Sequence, residues 1–133
     1  QEGRFLLVEE RADGERVFNQ PAGHWERGES LCEAVIRETR EETAHDFLPQ
    51  AVLGIYRWHH PRRDITFLRV AFIGSVSGHD PTQALDEGIL ALHWMTRAEM
   101  AGQGERLRSP QVLRCVDDYL AGRRYGLEML VDL

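Results

Sequence analysis

The stretch that decides the fold is Gly23-His-Trp-Glu-Arg-Gly-Glu29-Ser-Leu-Cys-Glu-Ala-Val-Ile-Arg37-Glu38-Thr-Arg-Glu41-Glu42, a glycine-punctuated loop that runs into a helical pattern. Ser30 and Glu33 form Ser-x-x-Glu, a capping box that satisfies two free backbone donors, and predict a helix from there to about Thr43. Leu31, Ala34 and Val35 occupy one stripe of that helix by the i, i+3, i+4 rule, and the same stripe continues as Glu38, Glu41 and Glu42. Glu38 and Glu42 are like charges at i, i+4 with Glu41 beside both, so the trio repels itself. Such a trio becomes favourable when hard, oxygen-seeking cations sit among the carboxylates. The alternative is an ordinary solvated face in which Glu33–Arg37 and Arg37–Glu41 are helix-surface pairs. That reading does not explain why the acids continue the apolar stripe instead of opposing it.

Working outward, Arg4 to Glu10 is a short apolar run that fits a buried strand, and Ala12-Asp13-Gly14-Glu15 carries the turn chemistry to reverse it into Val17 to Asn19. Beyond the helix, Ala51 to His60 and Ile65 to Val76 read as strands flanking a turn at Pro61 to Asp64. Gly78 to Gly88 reads as a polar loop and Ile89 to Met95 as a further strand. Thr96-Arg-Ala-Glu99 is a second capping box, Gly102 to Ser109 a polar linker, and Pro110 suits the first turn of a closing helix to about Leu120, ended by Gly122.

At 133 residues, with 42% apolar and 29% charged positions, the chain predicts one domain over residues 1–133 with one core. No apolar run approaches the roughly 20 residues that cross a bilayer. The net charge of −6 argues against extended nucleic-acid binding, which needs a basic stripe. Cys32 and Cys115 suit reduced, buried thiols in a cytoplasmic protein, without a disulfide or zinc site. Gln1 is not an initiator residue, which suggests that the natural start is missing from the chain as written.

Gly-x5-Glu-x7-Arg-Glu-x2-Glu-Glu, filled by Gly23, Glu29, Arg37, Glu38, Glu41 and Glu42, resembles the Nudix box. At average residue frequencies, six fixed residues at this spacing arise by chance on the order of 10⁻⁷ per starting position, so the likeness is specific. The resemblance implies an α/β/α sandwich with a mixed β-sheet and a catalytic loop-helix-loop, and an enzyme that hydrolyses acid anhydrides. It implies Glu38, Glu41 and Glu42 as metal ligands, with the Ala22 carbonyl nearby. Glu29 and Arg37 become a pair that orients the loop on the helix. The cofactor implied is Mg²⁺, with Mn²⁺ as a substitute, and the reaction is attack of water on phosphorus, with Glu38 the first choice of base. The family recruits a further acid from a later loop, for which Glu87 is placed and Asp86 is its neighbour. Thr39 and His45 stand where the family has aliphatic residues and Ala44 where it has glycine, which predicts a different helix exit.

Phe18 to His24, Phe67-Leu-Arg69, Arg108-Ser-Pro110 and Gly122 to Leu130 resemble the NudJ-type phosphatases within that family, whose members usually have one more strand before the segment matching Gly3 to Glu10. This likeness implies nucleoside tri- and diphosphates and pyrimidine pyrophosphates as substrates, and a monomer or homodimer with no membrane partner. Gly23, Gln20, Arg69 and Glu87 are the expected substrate contacts, with Asn19 as a further amide and Arg57, Arg62 and Arg63 as further cations. Trp25, Tyr56 and Trp58 are rings that pack or stack on a base. Two other readings stay open: a Nudix hydrolase of dinucleoside polyphosphates, nucleotide sugars or RNA 5′ ends, and a nucleotide-sensing module that does not cleave.

Overall fold

The structure is a computed structural model, and it describes residues 2–133. In chain order the elements are β1 (Arg4–Ala12), β2 (Glu15–Asn19), α1 (Leu31–Thr43), β3 (Asp46–His60), β4 (Ile65–Ser77), β5 (Ile89–Thr96), α2 (Arg97–Ala101) and α3 (Pro110–Leu120). Short 3₁₀ turns cover Gly104–Arg106 and Leu127–Met129. β1 pairs with β2 on one side and β5 on the other, while β3 and β4 form a separate long hairpin; both sheets are antiparallel. A parallel bridge joins Phe18 to Leu107.

Local chemistry explains most boundaries. Asp13 and Gly14 take φ values of 51° and 79°, the left-handed pair that a two-residue turn needs between Ala12 and Glu15. This turn lets β1 run to Ala12 and β2 start at Glu15, so both strands are longer than their apolar runs. The capping boxes at Ser30 and Thr96 both form, and Ser109 caps α3 with Pro110 in its first turn.

β3 begins at Asp46, five residues before the expected Ala51, and contains Pro49. A register shift between Pro49 and Ala51 accommodates the missing donor. Helix α1 does end in the left-handed conformation usually given to glycine: Ala44 has φ 55° and ψ 30°, and its N–H bonds the Arg40 carbonyl. Ala44 is fully buried, so packing over its methyl group offsets the roughly 1 kcal/mol cost of that geometry. Thr39 and Thr43, also buried, satisfy their hydroxyls on carbonyls one turn back, Val35 at 2.7 Å and Thr39 at 2.6 Å. His45 is buried with its ring stacked on His79 at 4.4 Å.

Helix α3 ties the two sheets together. Its Val112 and Val116 join Leu7, Phe18, Met95 and Met100 in one cluster, while Cys115 packs with Ala51, Leu53 and Ile73 in another. Positions 112, 115 and 116 share one helical face, so a single stripe serves both clusters. Cys115 is buried as expected, whereas Cys32 is only half-buried; both are free thiols. After α3 the chain returns to β3, where Tyr125 and Val52 exchange two backbone hydrogen bonds of 2.8 Å. No helix among the described residues is long and apolar enough to cross a membrane.

Candidate active site

Arg37, near the middle of α1, organises the carboxylates. Its Nε and Nη2 donate to the two oxygens of Glu29 at 3.0 and 2.8 Å, the two-pronged fork that only a guanidinium can form. Nη1 donates to Glu38 at 2.8 Å and Glu41 at 3.1 Å, and Nη2 also reaches the His24 carbonyl at 3.0 Å. Glu29 in turn accepts the Glu26 N–H at 2.9 Å, and the Arg37 guanidinium holds its carboxyl below the usual range. The loop from His24 to Glu29 is thereby pinned to the helix.

Glu38, Glu41 and Asp86 each offer an oxygen, and these lie within 4.8 Å of one another. Asp86 arrives there because its N–H bonds the Glu41 carbonyl at 3.0 Å, and the Gln83 side chain bonds the Arg40 carbonyl at 2.7 Å. The polar loop from Gly78 to Gly88 is thus moored at the end of α1. Of the two acids weighed in that loop, Asp86 joins the group, and Glu87 is exposed outside it.

Glu42 has a different post. It is buried, accepts the Ala22 N–H at 3.0 Å, and stands outside the three-oxygen group. Burial pushes its carboxyl up to about 8, the Ala22 N–H opposes this, and the neighbouring Glu38 and Glu10 charges add to the rise. Glu10 carries no catalytic spacing in the sequence, and only the pairing of β1 with β2 brings it here. It accepts Arg108 at 2.6 Å and Asn19 at 3.5 Å.

Gly23 has a steric reason to be glycine. A Cβ there would fall 2.0 to 2.3 Å from the carboxylate atoms of Glu38. Its φ is not positive, and the obstruction is the end of a flexible side chain, so the fold tolerates alanine at that position. Gly23→Ala therefore displaces Glu38 from Glu41 and Asp86: the expected result is a fall in kcat of about 10²-fold with an unchanged thermal midpoint. Wild-type turnover in this variant, measured by phosphate release, would show that Glu38 need not sit where it does.

The expected substrate contacts Gln20 and Arg69 are committed within the chain. Arg69 donates to Gln20 Oε1 at 2.9 Å and Asn19 Oδ1 at 3.1 Å, and Gln20 Nε2 donates to the Val112 carbonyl at 2.7 Å. A lone arginine in an apolar strand needs acceptors. Here they are the side chains that precede Pro21, so Arg69 braces the start of the catalytic loop. Tyr56 likewise spends its hydroxyl on Asp118 at 2.8 Å.

Comparison with known proteins gives the family. Residues 1–115 match the family model described as NUDIX domain. Over 131 residues, 98% of this chain and 84% of the relative, the sequence is 40% identical to the phosphatase NudJ of Escherichia coli strain K12. A solved NUDIX hydrolase from Nitrosomonas europaea is 42% identical, with a TM-score of 0.97 over all of this chain and 90% of that one. A MutT NUDIX hydrolase from Burkholderia pseudomallei, 18% identical, shares the fold with a TM-score of 0.70 over 89% of each chain. The chain belongs to the Nudix hydrolase family and has its α/β/α fold. More narrowly, it is a hydrolase of pyrophosphate bonds similar to the NudJ phosphatases.

Proposed function

We propose that this enzyme, a single domain over residues 1–133, hydrolyses phosphoanhydride bonds in nucleoside tri- and diphosphates and related pyrimidine pyrophosphates with the help of Mg²⁺. The observation that carries the proposal is the convergence of Glu38, Glu41 and Asp86 oxygens within 4.8 Å, beside a glycine that leaves room for Glu38. Likeness to a phosphatase over nearly the whole chain supports the substrate class.

The donors fit a hard divalent cation, because all three are carboxylate oxygens with neither sulfur nor imidazole among them. Mg²⁺ would be held by Glu38, Glu41 and Asp86, with Mn²⁺ accepted by the same oxygens. When bound, the cation neutralises the charge that develops on the phosphoryl oxygens. The chain's own groups do the rest. Glu38 takes the proton from the attacking water. Arg37 fixes the Glu38 and Glu41 carboxylates, and Glu42 holds the Ala22–Gly23 backbone through the Ala22 N–H. Two free cysteines suit a reducing compartment, and we place the enzyme in the cytoplasm on that ground.

The test measures phosphate and pyrophosphate release from nucleoside triphosphates, nucleoside diphosphates, a dinucleoside polyphosphate and a pyrimidine pyrophosphate, with and without Mg²⁺. Metal-dependent phosphate release from both tri- and diphosphates is expected. Pyrophosphate release from triphosphates alone would overturn the substrate assignment, and no turnover of any compound would overturn the enzyme reading.

A further inference from the structure

The hairpin of β3 and β4 extends beyond the part covered by α3. Its register pairs Tyr56 with Arg69, Trp58 with Phe67 and His60 with Ile65, and strand alternation puts all six on one face. At the first pair the face is spoken for, since Tyr56 bonds Asp118 of α3 and Arg69 bonds Gln20 and Asn19. One step outward, about 7 Å along the strands, Trp58 and Phe67 lie nearly parallel, with ring centroids 5.9 Å apart and an interplanar angle of 20°. His60 tilts against Trp58 at 5.1 Å. Both stacked rings are half-buried, whereas Leu68 on the opposite face is 71% exposed.

The charge on this arm runs against that of the protein. Residues 55–70 hold Arg57, Arg62, Arg63 and Arg69 against Asp64 alone, in a chain of net charge −6. Asp64 pairs with His59 at 3.1 Å, and among the described residues the guanidinium groups of Arg57, Arg62 and Arg63 have no ion-pair or hydrogen-bond partner. An aromatic surface next to a turn with two unpaired cations, Arg62 and Arg63, and joined to the catalytic loop through Arg69 and Gln20, has the chemistry for a planar base that carries phosphates.

We infer that the Trp58–Phe67 surface seats the base of the nucleotide substrate, with its phosphates directed back past Arg69 toward the catalytic loop and the arginines of the hairpin tip lending the arm a positive potential that attracts the anion. This rests on the proposed hydrolysis of nucleotides. Base stacking is sequence-tolerant because every base has a π-face, so the platform admits several nucleobases and the selectivity among them is low.

The test compares Trp58→Ala, Phe67→Ala and Trp58→Phe with the wild type on CTP, GTP and inorganic tripolyphosphate in the presence of Mg²⁺. Either alanine variant is expected to raise KM for both nucleotides about tenfold, leave kcat nearly unchanged, and leave tripolyphosphate kinetics alone; Trp58→Phe should restore the nucleotide KM. Quenching of tryptophan emission by CTP gives a readout independent of turnover; it should fall sharply in Trp58→Phe, and full quenching in that variant would count against the inference. An unchanged nucleotide KM in both alanine variants would overturn the inference. So would a KM rise of equal size for tripolyphosphate, or a change confined to sedimentation behaviour, which would make the arm a contact between copies of the chain. If the wild type hydrolyses no nucleotide, the proposed function fails, while CTP quenching still decides whether the platform binds a base.

Discussion

Glu38→Gln is expected to lower kcat by about 10²- to 10⁴-fold, the range that a positioned proton acceptor contributes, while the protein stays folded. The amide keeps the size of the side chain and can still accept the Arg37 N–H now 2.8 Å from Glu38 Oε1. It cannot take a proton from water. It also removes one of the three converging carboxylates and relieves like-charge repulsion at i, i+4, so the thermal midpoint should hold or rise slightly. Glu41→Gln should lose activity by weakening metal binding, and higher Mg²⁺ should recover part of it, whereas added Mg²⁺ should not restore the Glu38 variant. Steady-state kinetics across a Mg²⁺ titration separate the two. Full turnover by Glu38→Gln would remove Glu38 from the proton-accepting role.

Arg37→Ala should be costly in both stability and rate. It strips the cation from Glu29, Glu38 and Glu41 at once, and it releases the His24 carbonyl. The Glu29 and Glu38 side chains are only 16% and 14% exposed, so solvent compensates them poorly, although Arg37 itself is 25% exposed. Balancing lost charged hydrogen bonds against this partial screening gives a destabilisation of about 2 kcal/mol. In a domain of this size that is about 6–10 °C in the thermal midpoint. The rate should fall at least about 10²-fold, because Glu38 and Glu41 lose the donor that aims them. Arg37→Lys should rescue little of either effect, since an ammonium cannot reproduce the fork to Glu29. A lysine variant with near-native activity would reduce Arg37 to a source of charge.

Much of the site was legible before any tertiary contact was known, because the relevant physics is local. The interval from Ser30 to Glu33 sets a cap, and the intervals among Arg37, Glu38 and Glu41 set which carboxylates share a face within one or two turns. The same holds for Thr96 with Glu99, for Pro110 in the first turn of α3, and for the Asp13–Gly14 turn. Strand ends were less legible. β3 starts at Asp46 because its pairing with β4 continues through a register shift at Pro49, and no property of residues 46–50 alone foretells a partner strand.

By itself the sequence determined a helix whose apolar stripe turns acidic behind a glycine loop, since backbone period and charge repulsion act between near neighbours; the family followed from the likeness of that spacing to the Nudix box. Only the tertiary structure decided that Asp86 and not Glu87 meets Glu38 and Glu41, because adjacent loop residues diverge and a single backbone bond to Glu41 selects one of them. It also decided that Arg69 braces Gln20 and Asn19, that Glu10 lies near Glu42, and that the left-handed Ala44 is fully buried. These are partnerships across tens of residues, fixed by which strands pair and which faces are covered, and that competition is settled by the whole fold at once.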